Sequence, residues 1–459
     1  MLKITFIGAG SLVFGQEVLT DILMHPALRE NLVICLEDID PHRLDLMYRY
    51  LKRYIESNPE ELGNVSLEHT TDQRKSITDA KYIISAIQVG GLEATKIDLD
   101  IPYKYGVSQC VGDTIGPGGV FRFLRTAPVF RTILKDIEEV GHNAGKDGIK
   151  PLFLNYTNPM AMNTWFCNEL LPDSTVGLCH GVTHTEMVLR GIIKARRREF
   201  SYLCAGINHM AWFLEIWYRD SNDPNATWRD AYPLVHERIK KNPKLQSTEK
   251  VRKDMMNATG YFMTESSGHL SEYLPYYRKR KDLLEKYAGD GVLFDKLEHA
   301  FYLDLSNSMY EGMDRKFEKL IKRQKLKLKQ KHSGEYASNI INAMETGQAF
   351  RFNGNVMNKE GGIITNLLNE CCVEVPVFAD DHGLHPQGGI VLPTVCQALC
   401  TSNIMVQKAA VEGALENDRE KIYHAVLLDP NTASICSPEE IRDMVDELFK
   451  AETKWIIGF

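Results

Sequence analysis

Closely spaced glycines, a carboxylate, a cysteine and a histidine are the residues of this sequence that could carry out chemistry together. Gly8 and Gly10 follow a short apolar run at the start of the chain, and Asp38 follows the next one. Glycines at this spacing let the backbone approach a pyrophosphate, and an acid after the second strand can accept hydrogen bonds from a ribose. We therefore predict a dinucleotide site at these residues and at Ser11, and the acid favours NAD over NADP.

The glycine pattern is incomplete, because Val13 stands where the third glycine of the dinucleotide fingerprint would fall. A plain structural turn is therefore the alternative interpretation. The acidic residue at the end of the next predicted strand favours the dinucleotide site.

A thiol and an imidazole form the second candidate group. Cys179 ends a predicted strand, and His209 lies in a Gly-Ile-Asn-His segment. A thiolate beside an imidazole suits a divalent ion such as Mn²⁺, Fe²⁺, Co²⁺ or Ni²⁺, with positions left open for substrate oxygens. The two residues are far apart in sequence, and a lone cysteine or histidine is more often a buried packing residue. Spacing alone therefore leaves both interpretations open.

A parallel sheet wrapped by helices is the element pattern that would position these residues. The first half of the chain alternates short apolar runs with longer amphipathic ones, which is typical of such a sheet. The predicted strands are residues 4–7, 32–36, 82–87, 152–155 and 176–179, and the predicted helices are residues 16–24, 41–58 and 122–140. A Gly-Pro-Gly-Gly turn at 116–119 is expected to precede the third helix, where backbone amides could face a ligand. We expect the chemical groups to meet at the carboxyl edge of the sheet.

The second half of the chain has a different pattern. After about residue 200 the alternation fades and long helical stretches dominate, at 249–256, 337–345 and 396–415. We predict an α/β protein with an N-terminal Rossmann-type parallel sheet, residues 1–200, that binds NAD. It packs against a mostly helical α+β lobe, residues 201–459, for substrate, metal and oligomerisation, in an arrangement like that of lactate and malate dehydrogenases. The basic stretch 315–331 is expected to be a solvated helix face.

Composition narrows the classes of function. The 459 residues carry a net charge of -7, which argues against nucleic acid as a partner. No apolar run approaches the roughly 18 residues that cross a bilayer, so no membrane partner is expected. Met1 leads directly into a predicted strand without a signal sequence, and we expect a cytoplasmic protein. The ten cysteines are scattered without disulfide spacing, so we expect free thiols.

Five segments, taken together, resemble glycoside hydrolase family 4 in order and spacing along essentially the whole chain. They are residues 8–11, 113–119, 155–160, 179–182 and 206–209. The resemblance implies a glycosidase that needs NAD and a divalent metal such as Mn²⁺. Such enzymes are an exception to catalysis by two carboxylates. It also implies a small-molecule α-glycoside substrate and a homodimer or homotetramer.

Within that family the sequence is most similar to the α-galactosidases. The similar segments are residues 160–165, 204–211, 260–267 and 370–375. Gly181 departs from the pattern, since typical α-galactosidases carry serine there and the family's α-glucosidases and α-glucuronidases carry glycine. The resemblance therefore implies terminal α-galactosides, with an α-glucuronidase or α-glucosidase as the alternative. Relatives that act on 6-phosphorylated sugars usually have Asp or Asn in place of His180, so a phosphosugar is disfavoured.

The resemblance also implies a mechanism and residue roles. NAD⁺ removes hydride from C3 of the sugar, a base takes the acidified C2 proton, the glycosidic oxygen leaves C1, water adds back and the hydride returns. By position Tyr273 matches the base, although an ordinary buried tyrosine is the alternative. His180 matches the leaving-group acid, or it forms only a sugar hydrogen bond. Cys179 and His209 would hold the metal.

Two polar residues are candidates for substrate contact. Asn158 could donate to and accept from sugar hydroxyls. Arg125 could hold a hydroxyl or a carboxylate, although a structural ion pair is equally compatible with the sequence. A lactate- or malate-type dehydrogenase and a dinucleotide-sensing module remain as competing functions. Neither competitor has a use for a Cys/His metal pair.

Overall fold

The computed structural model describes residues 1–144, 150–220, 222–223, 225–291 and 295–459. In that part of the chain a single 13-stranded sheet runs through the molecule. The strands are β1 (Leu2–Ile7), β2 (Leu32–Glu37), β3 (Ser66–Thr70), β4 (Tyr82–Ser85), β5 (Leu152–Asn155), β6 (Thr175–Leu178), β7 (Phe200–Ile207), β8 (Met210–Tyr218), β9 (Arg229–Asp230), β10 (Phe262–Met263), β11 (Phe350–Met357), β12 (Cys372–Asp380) and β13 (Gly383–Pro386).

Helices of very different lengths cover this sheet. They are α1 (Leu12–Ile22), α2 (Pro41–Glu56), α3 (Pro59–Leu62), α4 (Gln73–Ile77), α5 (Gly91–Lys104), α6 (Gly116–Val140), α7 (Met160–Leu170), α8 (Gly181–Ile193), α9 (Tyr232–Lys241), α10 (Pro243–Ser247), α11 (Lys250–Thr259), α12 (Ser267–Leu270), α13 (Lys281–Tyr287), α14 (Phe301–Tyr310), α15 (Met313–Ile321), α16 (Ala337–Thr346), α17 (Thr394–Glu416), α18 (Arg419–Leu428), α19 (Pro430–Ala433) and α20 (Pro438–Ala451). Short 3-10 turns occur at Pro26–Leu28, Arg197–Glu199 and Ser271–Tyr273.

The first six strands form the parallel half of the sheet, in the order β3-β2-β1-β4-β5-β6. This is the strand order of dinucleotide-binding folds, in which ligands bind where the order reverses, here between β1 and β4. The predicted Rossmann-type parallel sheet is therefore confirmed. Every residue of β2, β4, β5 and β6 is buried, because helices cover both faces of these strands.

The second half of the chain continues the same sheet. Strand β11 pairs antiparallel with β6, and β12, β7, β8 and β10 follow outward, each antiparallel to its neighbour. Helix α16 packs on α1, and α17 packs on α6 and α7. The two halves therefore share one sheet and interleave their helices. The division at residue 200 falls at the start of β7 and stays a prediction.

The predicted start of the third helix is wrong. Residues 116–119 form the first turn of α6 instead of a loop before it. Proline is tolerated in a first helical turn, where its missing N–H has no partner to lose. The glycines are needed for close packing, because a Cβ at Gly118 would lie 2.5 Å from the carbonyl oxygen of Gly112.

The part of the basic stretch 315–331 that lies in α15 is a solvated helix face, as predicted. Phe317 is buried and meets Tyr50 of α2 edge to face, while Arg315, Lys316 and Lys319 face solvent. All ten cysteines are free thiols. Across the described ranges, none of the helices combines the length and the apolar character that a membrane span requires.

Candidate active site

The turn after β1 is built around two close backbone approaches. Gly8 has a φ of +88°, and a Cβ there would lie 2.4 Å from the carbonyl oxygen of Ala86. The amide of Gly10 donates to Asp38 Oδ2 at 2.6 Å, and a Cβ on Gly10 would lie 2.7 Å from that oxygen. Glycine is therefore required at both positions. The second approach ties the turn directly to the acid that follows β2.

The carboxylate of Asp38 also accepts from the amide of Asp40 at 2.8 Å. Each oxygen keeps a free lone pair, so ribose hydroxyls could still donate to it. Ser11 precedes α1 and makes no side-chain cap, which leaves the first amides of this helix able to face an anion. Residues 8–11 and Asp38 therefore fit a dinucleotide.

The missing third glycine has a substitute two residues further on. Gly15 is buried in α1, and a Cβ there would meet Met47 at 3.3 Å and Phe6 of β1 at 3.7 Å. The third glycine of the fingerprint serves close packing of helix on strand. Gly15 fills that role here, so Val13 does not weaken the dinucleotide site.

Cys179 and His209, far apart in sequence, lie in contact. Cys179 directly follows β6, and His209 lies in the two-residue turn between β7 and β8. The distance between Cys179 Sγ and His209 Nε2 is 3.4 Å. Glu265 Oε2 lies 3.5 Å from the same His209 nitrogen. One atom each of His209, Glu265 and His269 can be chosen so that all lie within 4.8 Å of one another.

The backbone at this cluster is held in an uncommon conformation. His209 has a φ of +63° and Glu265 a φ of +69°, in the left-handed region that residues other than glycine rarely adopt. Such conformations concentrate at functional sites, where surrounding contacts maintain them. Here both of them aim potential ligand atoms at one point.

The protonation of the cluster suits a cation. Burial lowers the pKa of His209 to about 4, so its imidazole is neutral at neutral pH. Burial acts to raise the pKa of Glu265, but the neighbouring imidazoles, the amide of Ser266 and the guanidinium of Arg252 together outweigh it and hold that pKa at about 2. Burial raises the pKa of the Cys179 thiol, so thiolate formation depends on a bound cation. A neutral imidazole, a carboxylate and a latent thiolate fit a divalent transition metal.

Tyr273 lies beside this cluster in a chain of hydrogen bonds. Its hydroxyl donates to Thr114 Oγ1 at 2.6 Å, and that oxygen lies 2.8 Å from His269 Nε2. Burial raises the pKa of Tyr273, so in the metal-free protein the phenol is protonated. The carboxylate of Glu272, the residue before Tyr273, accepts hydrogen bonds from the backbone amides of residues 110–112 and so holds the two segments together.

Asn158 follows β5, and His180 directly follows Cys179 at the end of the neighbouring strand β6. Asn158 Nδ2 donates to Asp113 Oδ2 at 3.0 Å, and Arg122 Nε donates to the Asn158 carbonyl at 3.1 Å. The His180 imidazole is largely exposed, and its Nδ1 lies 3.3 Å from Glu335 Oε1. The His180 imidazole is therefore exposed, whereas Asn158 is partly buried and held by Asp113 and Arg122.

Arg125 is placed elsewhere. It is 1% exposed and forms ion pairs with Asp98 and Glu452. Substrate contact is therefore wrong for Arg125, and the structural ion pair is the alternative that holds. Arg122 lies three residues earlier on α6, and its Nε donates to the Asn158 carbonyl instead.

Several residues of this site were not predicted from the sequence. They are Asp113, Thr114, Arg122, Glu265, His269 and Glu335. Asp113, Thr114 and Glu265 lie in segments that carried the family resemblance, which was the available signal. His269 and Glu335 lie outside those segments, and only the folded chain brings them to the site.

Comparison with known proteins agrees with this geometry. The family model described as "Family 4 glycosyl hydrolase" matches residues 3–195, and the model of that family's C-terminal domain matches residues 204–432. An alpha-galactosidase of Rhizobium meliloti (strain 1021) is 40% identical over 99% of this chain and 89% of its own length. An alpha-galactosidase of Bacillus subtilis (strain 168) is 38% identical over 99% of both chains.

A solved structure shares the fold over the full length. The 6-phospho-beta glucosidase from Thermotoga maritima, solved with manganese, NAD+ and glucose-6-phosphate, superposes with a TM-score of 0.77. It is 19% identical, and the match covers 99% of each chain. The family assignment removes a lactate- or malate-type dehydrogenase and a non-enzymatic sensor as alternatives. The chain belongs to family 4 of the glycosyl hydrolases.

Proposed function

We propose that this enzyme hydrolyses terminal α-galactosides with NAD as a recycled cofactor and a divalent metal such as Mn²⁺. The observation that carries the proposal is the contact of Cys179 with His209 beside Tyr273, on the same sheet as the dinucleotide turn. The names of the two relatives at 38% and 40% identity support the sugar. The manganese and NAD+ in the Thermotoga maritima structure support the cofactors.

Each cofactor has matching residues in this chain. Gly8, Gly10 and Ser11 would face the dinucleotide phosphates, and Asp38 would accept from the ribose. Cys179 and His209 would ligate the metal, with Glu265 and His269 as further donors. When bound, NAD⁺ supplies reversible removal of the C3 hydride, and the metal supplies Lewis acidity toward the neighbouring sugar oxygens.

Tyr273 is the proposed base for the C2 proton. Its hydroxyl contacts Thr114, which contacts His269, so a proton released from the phenol has a path away from the sugar. Because burial raises the pKa of Tyr273, a nearby positive charge is needed for the phenolate to form. Proton abstraction is thereby restricted to the loaded enzyme.

His180 and Asn158 are proposed to act on the rest of the substrate. The exposed His180 imidazole would donate a proton to the departing glycosidic oxygen. Asn158, held by Asp113 and Arg122, would position sugar hydroxyls. We also expect a homodimer or homotetramer, as the family resemblance implies, and a cytoplasmic location, as the N-terminal sequence predicts.

Gly181 favours a second candidate sugar, glucuronic acid or glucose. A Cβ at this position would lie 3.5 Å from Cys179 Sγ and 3.7 Å from Glu265 Oε2, which is ordinary contact. Serine would therefore fit, and its hydroxyl would lie beside the proposed metal ligands. The residue at 181 can in this way influence which sugar the site accepts.

A panel of p-nitrophenyl α-galactoside, α-glucoside and α-glucuronide tests the proposal, with NAD⁺, Mn²⁺ and a thiol present. We expect the galactoside to be cleaved with the highest kcat/KM, and chelation of the metal to abolish cleavage. The Gly181→Ser variant is the matched comparison, and it should retain activity on the galactoside. Preference of the unmodified enzyme for the glucuronide would overturn the proposed sugar.

A further inference from the structure

The His180 imidazole is exposed but has one buried partner. Its side chain is 67% exposed, whereas the Glu335 side chain, whose Oε1 lies 3.3 Å from His180 Nδ1, is 10% exposed. The other Glu335 oxygen, Oε2, is buried and has no hydrogen-bond partner within the described part of the chain. Glu335 is therefore a largely buried carboxylate that faces an exposed imidazole.

Residues 322–336, which we call the strap, hold Glu335 in this place. Ser333 Oγ accepts from the Glu335 amide at 3.2 Å and donates to the fully buried Asp21 of α1 at 2.5 Å. Lys329 forms an ion pair with the same carboxylate. The strap is thus fastened to the helix that follows the dinucleotide turn.

A second set of contacts fastens the end of the strap to the turn that carries His180. The hydroxyls of Tyr336 and Thr183 lie 2.5 Å apart, and Thr183 is in the first turn of α8. The amide of Ala337 donates to the Tyr156 hydroxyl at 3.0 Å. The residues after Glu335 and the residues after His180 are therefore fixed relative to each other.

A carboxylate at one ring nitrogen of a histidine fixes how the other nitrogen is directed. In hydrolytic triads this contact sets the orientation and tautomer of the imidazole, and its loss is costly although the geometry of the site survives. With Nδ1 of His180 facing Glu335, Nε2 is directed away from the strap. That nitrogen is the one left to contact a substrate.

We propose that Glu335 is a positioning residue that holds His180 so that Nε2 donates its proton to the glycosidic oxygen. The inference rests on the proposed function. As the electron pair at C2 forms the double bond to C1, the C1–O bond breaks, and the departing oxygen takes the Nε2 proton. The water that later adds at C1 returns a proton to His180, so protons balance over the cycle.

The test compares leaving groups in the full-length enzyme with NAD⁺ and Mn²⁺. A p-nitrophenolate leaves without acid assistance, whereas a methoxide needs it. Glu335→Met keeps the length of the side chain but removes the carboxylate that faces His180. In this variant kcat/KM for methyl α-galactoside should fall by about 10–100-fold, which is part of the rate enhancement that general acid catalysis provides. For p-nitrophenyl α-galactoside it should fall by less than about threefold, since no proton is then required.

Three further variants define the interaction. Glu335→Gln keeps an oxygen that can accept from Nδ1 and should recover part of the lost activity. His180→Gln should show the same dependence on the leaving group, and adding Glu335→Met to it should cause no further loss. Glu318→Gln, which removes an exposed carboxylate paired with Arg49, is the control and should match the unmodified enzyme.

Two results would overturn the inference: full activity of Glu335→Met on the methyl glycoside, or an equal loss for both leaving groups. Failure of the proposed function is recognised separately, because it is judged on the unmodified enzyme. If that enzyme takes up no solvent deuterium at C2, the elimination itself is wrong. If it does take up deuterium and the variants show no dependence on the leaving group, only the role of Glu335 is wrong.

Discussion

At the scale of single residues, the site depends on side chains that are far apart in the sequence and that the fold brings into contact. Cys179 and His209 each sit where a strand ends, and the sheet brings Sγ and Nε2 to 3.4 Å. The residue types and the family resemblance were enough to predict this pair. Glu265 and His269 were not predicted as donors, because the resemblance named no role for them and their spacing follows no metal motif.

Substitution of Cys179 by serine tests the metal site. A serine hydroxyl is a poor anionic ligand, so Mn²⁺ affinity should fall by more than the roughly 10–100-fold that loss of an outer partner costs. Electron paramagnetic resonance of free Mn²⁺ measures the affinity without any substrate. Cys436→Ser is the matched control, since that thiol only donates to the Tyr105 carbonyl. Unchanged Mn²⁺ affinity in Cys179→Ser would remove Cys179 from the site.

Arg125 shows what a sequence cannot resolve at this scale. Arg122 and Arg125 are both basic residues on one face of a predicted helix, and no pattern says which of them meets the substrate side. The structure separates them because Asp98 of α5 and Glu452, after α20, reach Arg125. Those partners come from distant parts of the chain.

The buried ion pair makes a stability prediction for Arg125→Met. Removing one partner leaves uncompensated buried carboxylates, so the free energy of unfolding should fall by about 3–5 kcal/mol. Urea unfolding monitored by circular dichroism measures the change. Arg122→Met, nearly one turn earlier on α6, should lose activity and much less stability. Equal stability losses in the two variants would contradict these separate roles.

At the scale of elements, five of the six parallel strands followed from the sequence, whereas β3, the helix starts and the antiparallel strands did not. The fully buried parallel strands appear as uninterrupted apolar runs, which are easy to recognise. The first turn of α6 contains three glycines and a proline, which locally predict a loop. Packing against Gly112 and Thr114 overrides that preference.

His25, whose ring packs against His332 of the strap, carries a pH dependence that can be measured. Burial, followed by the neighbouring His332, lowers the pKa of His25 to about 4 from its ordinary 6.5. Asp21 favours the charged form of His25 and Arg29 opposes it, but both effects are smaller than burial. Between these two pKa values the unfolded chain binds a proton that the native chain does not, so stability falls as the pH falls through this window.

Replacement of His25 by asparagine should remove that part of the pH dependence. Between pH 7 and pH 4 the unmodified protein should lose roughly 1–3 °C more in Tm than His25→Asn, a small effect because the ring is partly solvated. Differential scanning calorimetry gives the comparison, and the exposed His236→Asn serves as control. The same slope in His25→Asn and the unmodified protein would contradict the assignment.

At the scale of the whole molecule, the two halves are joined by one sheet. The sequence predicted a separate second lobe because the alternation of strands and helices stops near residue 200. Antiparallel pairing of β11 with β6 could not be foreseen, since these strands are far apart in the chain and either could have been an edge. The functional site lies where the parallel and antiparallel halves of the sheet meet.

Continuity of the sheet predicts joint unfolding of the two halves. A fragment of residues 1–200 would expose the edge of β6 and lose the helices α16 and α17 that cover α1, α6 and α7. We expect that fragment to aggregate or remain unfolded, and the full chain to show one calorimetric transition. A stable, NAD-binding fragment with the circular dichroism of a folded protein would contradict this and favour two independent domains.

We propose that NAD⁺ accepts the C3 hydride of the sugar and later returns it, and that Tyr273 removes the C2 proton between these two steps. The most direct test is hydrolysis of p-nitrophenyl α-galactoside in D₂O with NAD⁺ and Mn²⁺, followed by NMR of the released galactose. We expect one deuterium at C2 of the released galactose and no accumulation of NADH. Galactose that retains its C2 proton, or NADH that rises in step with product, would contradict it.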